Sequence, residues 1–252
     1  LDHQPNVHSN EEYCAMLASH REEGGEPYAA GLTYLRAGNL ARARYANARA
    51  SEYYERGLAL LDDGAVAQRL DALHNYGDVL QLIGRIDDAL AAFGEMLTLA
   101  YRLDLKGKGG AAHNRVGRLY REIGSLDEAA KHFQTALSLF ESVRDARGVA
   151  STIDDMGKLH WMKGEYDLAQ RELRDGLARR QQLGDRRSIA LSLNNLGLVL
   201  QDSGEFSAAL TAFDQALKIR REIGDLVGVV VTLNNLGTVS QDLNDYPQAL
   251  SL

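Results

Sequence analysis

Three prolines, one cysteine and one tryptophan among 252 residues leave this chain with few helix breakers and no means of internal disulfide bonding. A lone Cys14 excludes a disulfide framework and fits a reducing, cytoplasmic compartment. No apolar run approaches the ~18–20 residues of a membrane span, and no signal-peptide pattern opens the chain. Positive charge is also short: the formal net charge of −7 argues against a binder of nucleic-acid backbone, which needs a basic face. Alternating strand patterns and hairpin turn pairs are missing. An initiating Met is missing too, and the helix opened by Pro247 is expected to run past Leu252, so the chain reads as a piece of a longer protein.

What is present is repetition. Gly77, Gly117, Gly157, Gly197 and Gly237 stand 40 residues apart. Gly84, Gly124, Gly164 and Gly204, completed by Asn244, follow seven residues behind each, and Ala89, Ala129, Ala169, Ala209 and Ala249 five later again. A fixed period of this size marks an array of stacked units that each contact their neighbours.

Within one copy, Leu119, Tyr120 and Ile123 fall at helical spacing around Gly117, giving a first helix that ends near Gly124. Asp127 and Glu128 place acids where the next helix dipole favours them. Ala129, Phe133, Ala136, Leu137 and Phe140 then form its apolar stripe. Phe93, Leu173 and Phe213 replace Phe133 in the other copies. A glycine inside a helix costs about 1 kcal/mol against alanine, so close packing must compensate. Gly77 and Ala89 are both small, which lets the two helices approach.

Val116, Gly117, Tyr120, Ala129, Phe133 and Ala136 meet the pattern of the tetratricopeptide repeat, and residues 70–252 resemble that family. The resemblance is to its longer variant, found in kinesin light chains and bacterial regulatory proteins, through Ser192–Gly197 and Thr232–Gly237. It implies an all-α, right-handed superhelical solenoid of antiparallel helix pairs, about 13 to 14 helices in all. Five units are expected at 70–109, 110–149, 150–189, 190–229 and a truncated 230–252. Two degenerate pairs, 10–38 and 39–66, fill residues 10–69, on the spacing of Ala30, Tyr34 and Ala37 and of Ala50, Tyr54 and Gly57. Their wording is similar to the stretch that precedes the repeats in bacterial signalling ATPases. Residues 1–9 read as a flexible lead-in.

In this family the first helix of each pair lines a concave groove. The resemblance therefore points to Asn75, Asn114, Arg115, Asn194, Asn195, Asn234 and Asn235 before the glycines as peptide-binding residues. It adds Arg118 and Lys158 after them, and Arg121, Trp161, Gln201 and Gln241 one turn on. Asparagine offers a donor and an acceptor to an extended main chain, but one Asn of each pair could equally bridge neighbouring helices. Arg115, Arg118 and Arg121 share one helical face and suit a carboxylate, with pairing to Asp154 and Asp155 the internal alternative. Trp161 reads as an anchor for a partner or as filler between helices. The run Arg171, Arg174, Arg179, Arg180, Arg186 and Arg187 reads as a solvated outer face.

No histidine set has metal-ligand spacing, and His160 reads as a packed core residue. Lys106–Gly110 lacks the Walker spacing and reads as a turn between repeats. No catalytic set, metal or cofactor is expected. The reading is a non-enzymatic scaffold for a protein or peptide, the regulatory part of a larger bacterial signalling protein, with no nucleic-acid or membrane partner. Homo-oligomerisation through the repeat ends is the alternative.

Overall fold

The computed structural model describes residues 10–243. The lead-in expected at 1–9, the helix start at Pro247 and the series members Asn244 and Ala249 lie outside them. The described residues form twelve α-helices and no strand. They are α1 (Glu11–Glu23), α2 (Pro27–Ala43), α3 (Asn47–Leu60), α4 (Val66–Leu82), α5 (Ile86–Arg102), α6 (Lys106–Glu122), α7 (Leu126–Ser142), α8 (Ala146–Met162), α9 (Tyr166–Leu183), α10 (Arg186–Asp202), α11 (Phe206–Glu222) and α12 (Leu226–Asp242). The chain is an all-α repeat solenoid of antiparallel helix pairs, in two compact units, residues 1–119 and 120–252.

Local chemistry sets the helix ends. Asp145, Asp185 and Asp225 cap α8, α10 and α12, their carboxylates accepting from the backbone N–H groups of Gly148, Ser188 and Gly228. Gly84, Gly124, Gly164 and Gly204 follow α4, α6, α8 and α10 with φ of 76° to 82°, the left-handed position where glycine escapes the Cβ clash. Tyr45 takes this conformation after α2 without glycine, as Asp104 and Arg144 do in the opposite turns after α5 and α7, where Gly184 and Gly224 serve after α9 and α11.

In unit 1 the helices α1 to α5 pack successively on one another, and in unit 2 α7 to α12 do the same. The first helices also touch across pairs, α2 with α4, α8 with α10 and α10 with α12. Tyr54, Phe93, Phe133, Leu173 and Phe213 are fully buried at one register of the second helices. The glycine series exists for them. A Cβ on Gly77 would lie 2.4 Å from the Phe93 ring, and one on Gly197 2.6 Å from Phe213. The close approach is thus of ring to backbone, more than of Gly77 to Ala89.

Three expectations change. The break placed at residue 38 falls inside α2, and the chain turns at Arg44–Ala46 instead. Residues 10–65 therefore hold three helices, and Gly38 lies under Tyr54, 3.0 Å from a built Cβ, as Gly77 lies under Phe93. Each unit boundary from 70 onward falls four residues inside a helix, because α4, α6, α8, α10 and α12 begin at 66, 106, 146, 186 and 226. Lys106–Gly110 is the opening of α6, not a turn; the left-handed residue is Asp104, and Gly109 and Gly110 are buried.

Candidate functional site

All thirteen residues expected to bind a partner lie on α4, α6, α8, α10 and α12. In unit 1, Asn75 Nδ2 donates to Asn39 Oδ1 at 3.2 Å, and the Tyr54 hydroxyl donates to the same oxygen at 2.7 Å. Arg115 grips Asp78 with two nitrogens, Nε at 2.9 Å and Nη2 at 3.1 Å. Its Nη2 also reaches His74 Nε2 at 3.2 Å. Burial and the Arg115 cation hold the His74 imidazole below its ordinary value, so it accepts as a neutral ring. Asn114 is buried and Arg118 half-buried.

In unit 2, one geometry recurs. Trp161 Nε1 donates to Asp202 Oδ2 at 2.8 Å, Gln201 Nε2 to Asp242 Oδ2 at 2.7 Å, and Asn235 Nδ2 to Asn194 Oδ1 at 3.2 Å. Each bond spans 41 residues, one more than the period, so equivalent faces of successive first helices are stitched together. Arg121 lies 5.9 Å from the Phe133 ring centroid and bonds Asp155 Oδ1 at 3.1 Å. Met162, which stands where Asp202 and Asp242 do, offers it no carboxylate. Asp155 is thus the internal partner expected for this arginine. Asp154 turns instead into the interior, bonding Arg180 Nη1 at 2.7 Å and Ser192 Oγ at 2.8 Å. Burial pushes its carboxyl up.

Arg180 therefore departs from the solvated outer run: it is buried, and its guanidinium also donates to Ser188 O. His160 is a half-buried bridge rather than core, its Nδ1 2.6 Å from Glu172 Oε2. Asn194 and Asn195 are buried, Lys158 and Asn235 half-buried, Asn234 and Gln241 exposed. The amide nitrogen of Asn195 is buried with no hydrogen-bond acceptor.

A sequence profile described as tetratricopeptide repeat matches residues 110–182 and 188–252, more than half of the chain. The chain belongs to the tetratricopeptide repeat family. No curated protein matches it by sequence. Among solved structures it is similar to BtubC (BKLC) from P. vanneervenii, at 21% identity over 85% of this chain and 88% of that one, TM-score 0.65. It is similar to the apo form of RapI, at 15% identity over 96% and 94%, TM-score 0.69. A third is the Rap conjugation gene regulator of plasmid pLS20 in complex with the Phr* peptide, at 16% identity over 90% and 61%, TM-score 0.72.

As a tetratricopeptide repeat array, the chain presents amide and charged groups along its first helices. No group of three or more His, Cys, Asp or Glu able to hold a metal occurs among the described residues, and none of their helices is long and apolar enough to cross a membrane. A hollow of 710 Å³ in unit 2 lies away from the asparagines, along the turns at Gly164–Tyr166 and Asp202–Glu205. A second, of 260 Å³, lies in unit 1 beside Asn39 and Asn75. Neither was legible in the repeat, because each depends on how two copies meet. Asn39 follows Gly38 as Asp78 follows Gly77, a register that a period of 39 hides.

Proposed function

We propose that the chain is a protein-interaction scaffold that binds an extended peptide segment along the polar face of its first helices. It serves as the regulatory part of a larger bacterial signalling protein. The observation that carries this is the row of amides open to a partner on α12: Asn234 and Gln241 are exposed and Asn235 is half-buried, so their donors and acceptors are within reach of a peptide main chain. The Asn235–Asn194 bond fixes two amides while leaving each a polar group to offer. The family supports the reading, as does the Rap regulator that carries a peptide. A preformed row of this kind loses little ordering entropy on binding. No catalytic step, cofactor, nucleic acid or membrane enters the reading.

The test is capture of peptides from a randomised, acetylated and amidated heptapeptide library by the immobilised chain. The same capture is made with a variant carrying Ala at Asn194, Asn195, Asn234 and Asn235. Retention by the first and loss by the second is the expected result; equal retention would move the site elsewhere.

Self-association is the second reading. Leu226, Val227 and Val230 of α12 are 77%, 77% and 67% exposed, and Arg186 and Arg187 stand at the first two of these positions one copy earlier. A concentration series by light scattering, with Leu226→Glu and Val230→Glu, separates the two: a monomer at all concentrations rejects self-association.

A further inference from the structure

The geometry points to a side-chain pocket in unit 1: the hollow between α2 and α4 takes one aliphatic or aromatic side chain of an extended peptide, while Asn39 and Asn75 hold the adjoining main chain. The inference rests on the peptide-binding reading but places a specificity element in residues outside the asparagine pairs of unit 2.

The hollow measures 260 Å³; Leu32, Leu35 and Ala72 line it with the buried Tyr54, and Arg36, Gln68 and Asp71 are its polar lining besides the two asparagines. Counted from Gly38, Leu35 stands where the later first helices carry His74, Asn114, Asp154, Asn194 and Asn234. The polar row is therefore interrupted here by an apolar residue. Leu35 also lies low, because Gly57 of α3 has no side chain to hold it up. A Cβ on Gly57 would fall 2.6 Å from Leu35 Cδ2. A water takes about 30 Å³ of liquid, so the hollow has room for roughly eight. Against Leu32, Leu35 and Ala72 they find few partners, and an apolar side chain that displaces them gains affinity.

The mouth suits a main chain. Asn39 Oδ1 already accepts from Tyr54 and Asn75, which fixes both amides in place. The Asn39 NH₂ group and the Asn75 carbonyl oxygen are then left without a bond among the described residues. A donor and an acceptor side by side complement the C=O and N–H of a peptide backbone. Burial raises the Tyr54 phenol above its ordinary value, so its proton stays on to hold Asn39. Asp71 at the rim is already paired with Lys108 at 2.7 Å, so no open carboxylate awaits a basic side chain.

The randomised heptapeptide library tests this. Peptides retained by the immobilised chain are sequenced by mass spectrometry. They are expected to show one position enriched about tenfold in Leu, Ile, Met or Phe, the effect of burying one apolar side chain. Gln68→Trp, at an exposed rim position, fills the mouth, and Leu32→Glu charges the apolar lining. Each should abolish that preference while peptides are still retained, with circular dichroism melting showing both variants folded. A preference unchanged in both variants overturns the pocket, as does retention by the unaltered chain without any apolar preference. Retention of no peptide at all overturns the peptide-binding reading itself, and the pocket with it.

Discussion

The carboxylate of Asp154 occupies the space that a side chain at residue 176 would take: a Cβ built on Gly176 falls 2.2 Å from Asp154 Oδ1. Leu35 and Gly57 stand in the same relation in the first helix pair. Elsewhere the partner position carries Met96, Ala136 and Ala216, opposite His74, Asn114 and Asn194. Where a first helix sends a side chain inward, the second helix answers with glycine. Gly176→Ala must push Asp154 off Arg180 and Ser192, a buried pair whose disruption costs about 3 kcal/mol. Gly94, with nothing within 4 Å of its built Cβ, is the control, and Gly94→Ala should gain about 0.5–1 kcal/mol from helix propensity. Urea denaturation of both variants reads the contrast, and a Gly176→Ala protein as stable as its parent would refute it.

Gly77 and Phe93 form the corresponding ring-on-backbone contact. Gly77→Ala should cost about 1–3 kcal/mol by overpacking, despite alanine's better propensity. The cost should fall when Phe93 is also shortened to Leu, the residue found at 173. A double-mutant cycle is expected to show a coupling of about 1 kcal/mol. Additive losses would mean that the ring has room to move aside.

The regular period places most helices because each helix and the turn after it together keep one length from α4 onward, so α4 to α12 begin 20 residues apart. It failed where a turn lacks its glycine. Tyr45, with φ 59°, ends α2 without the usual mark, so Gly38 reads in the sequence as a helix end although it sits beneath Tyr54. Asp104 did the same before α6, where glycines that belong inside the helix drew the break to themselves. Arg180 reads as one of a run of exposed arginines, yet the sequence carries a signal of its burial: Ala100 and Phe140 occupy that position in earlier copies, and both are buried. The stitching of successive helices could not be read at all. It depends on which carboxylate or amide meets which donor, as the choice of Asp155 over Met162 by Arg121 illustrates.

The His74 imidazole, held down by burial and by Arg115 with Lys108 adding to it and Asp78 and Asp71 opposing, makes stability depend on pH. The unfolded chain takes up a proton near the ordinary value of 6.5, while the folded chain takes it up only at lower pH. Between those values the unfolded state binds more protons, so stability falls as the pH falls through that window. Melting temperatures at about pH 7.5 and pH 5.5 should therefore differ less in His74→Asn, the residue carried at 114, 194 and 234, than in the unaltered chain. An identical drop in both would assign the pH dependence to other groups.

Asn195 sets stability against binding. Its buried amide nitrogen has no acceptor in the unliganded chain, so Asn195→Leu removes an unsatisfied donor at similar volume. That exchange should leave stability unchanged or raise it by about 1 kcal/mol. If the amide serves a peptide carbonyl, the same variant should lose about tenfold in affinity for a captured peptide, the worth of one hydrogen bond made in a site closed to water. Asn235→Ala should behave in the opposite sense for stability, since it breaks the bond to Asn194 and should cost about 0.5–1 kcal/mol. Thermal melts and fluorescence anisotropy with one labelled library peptide measure both quantities on the same samples. A residue kept for packing alone would lose stability on replacement and leave affinity untouched, so that pattern at Asn195 would remove it from the binding face.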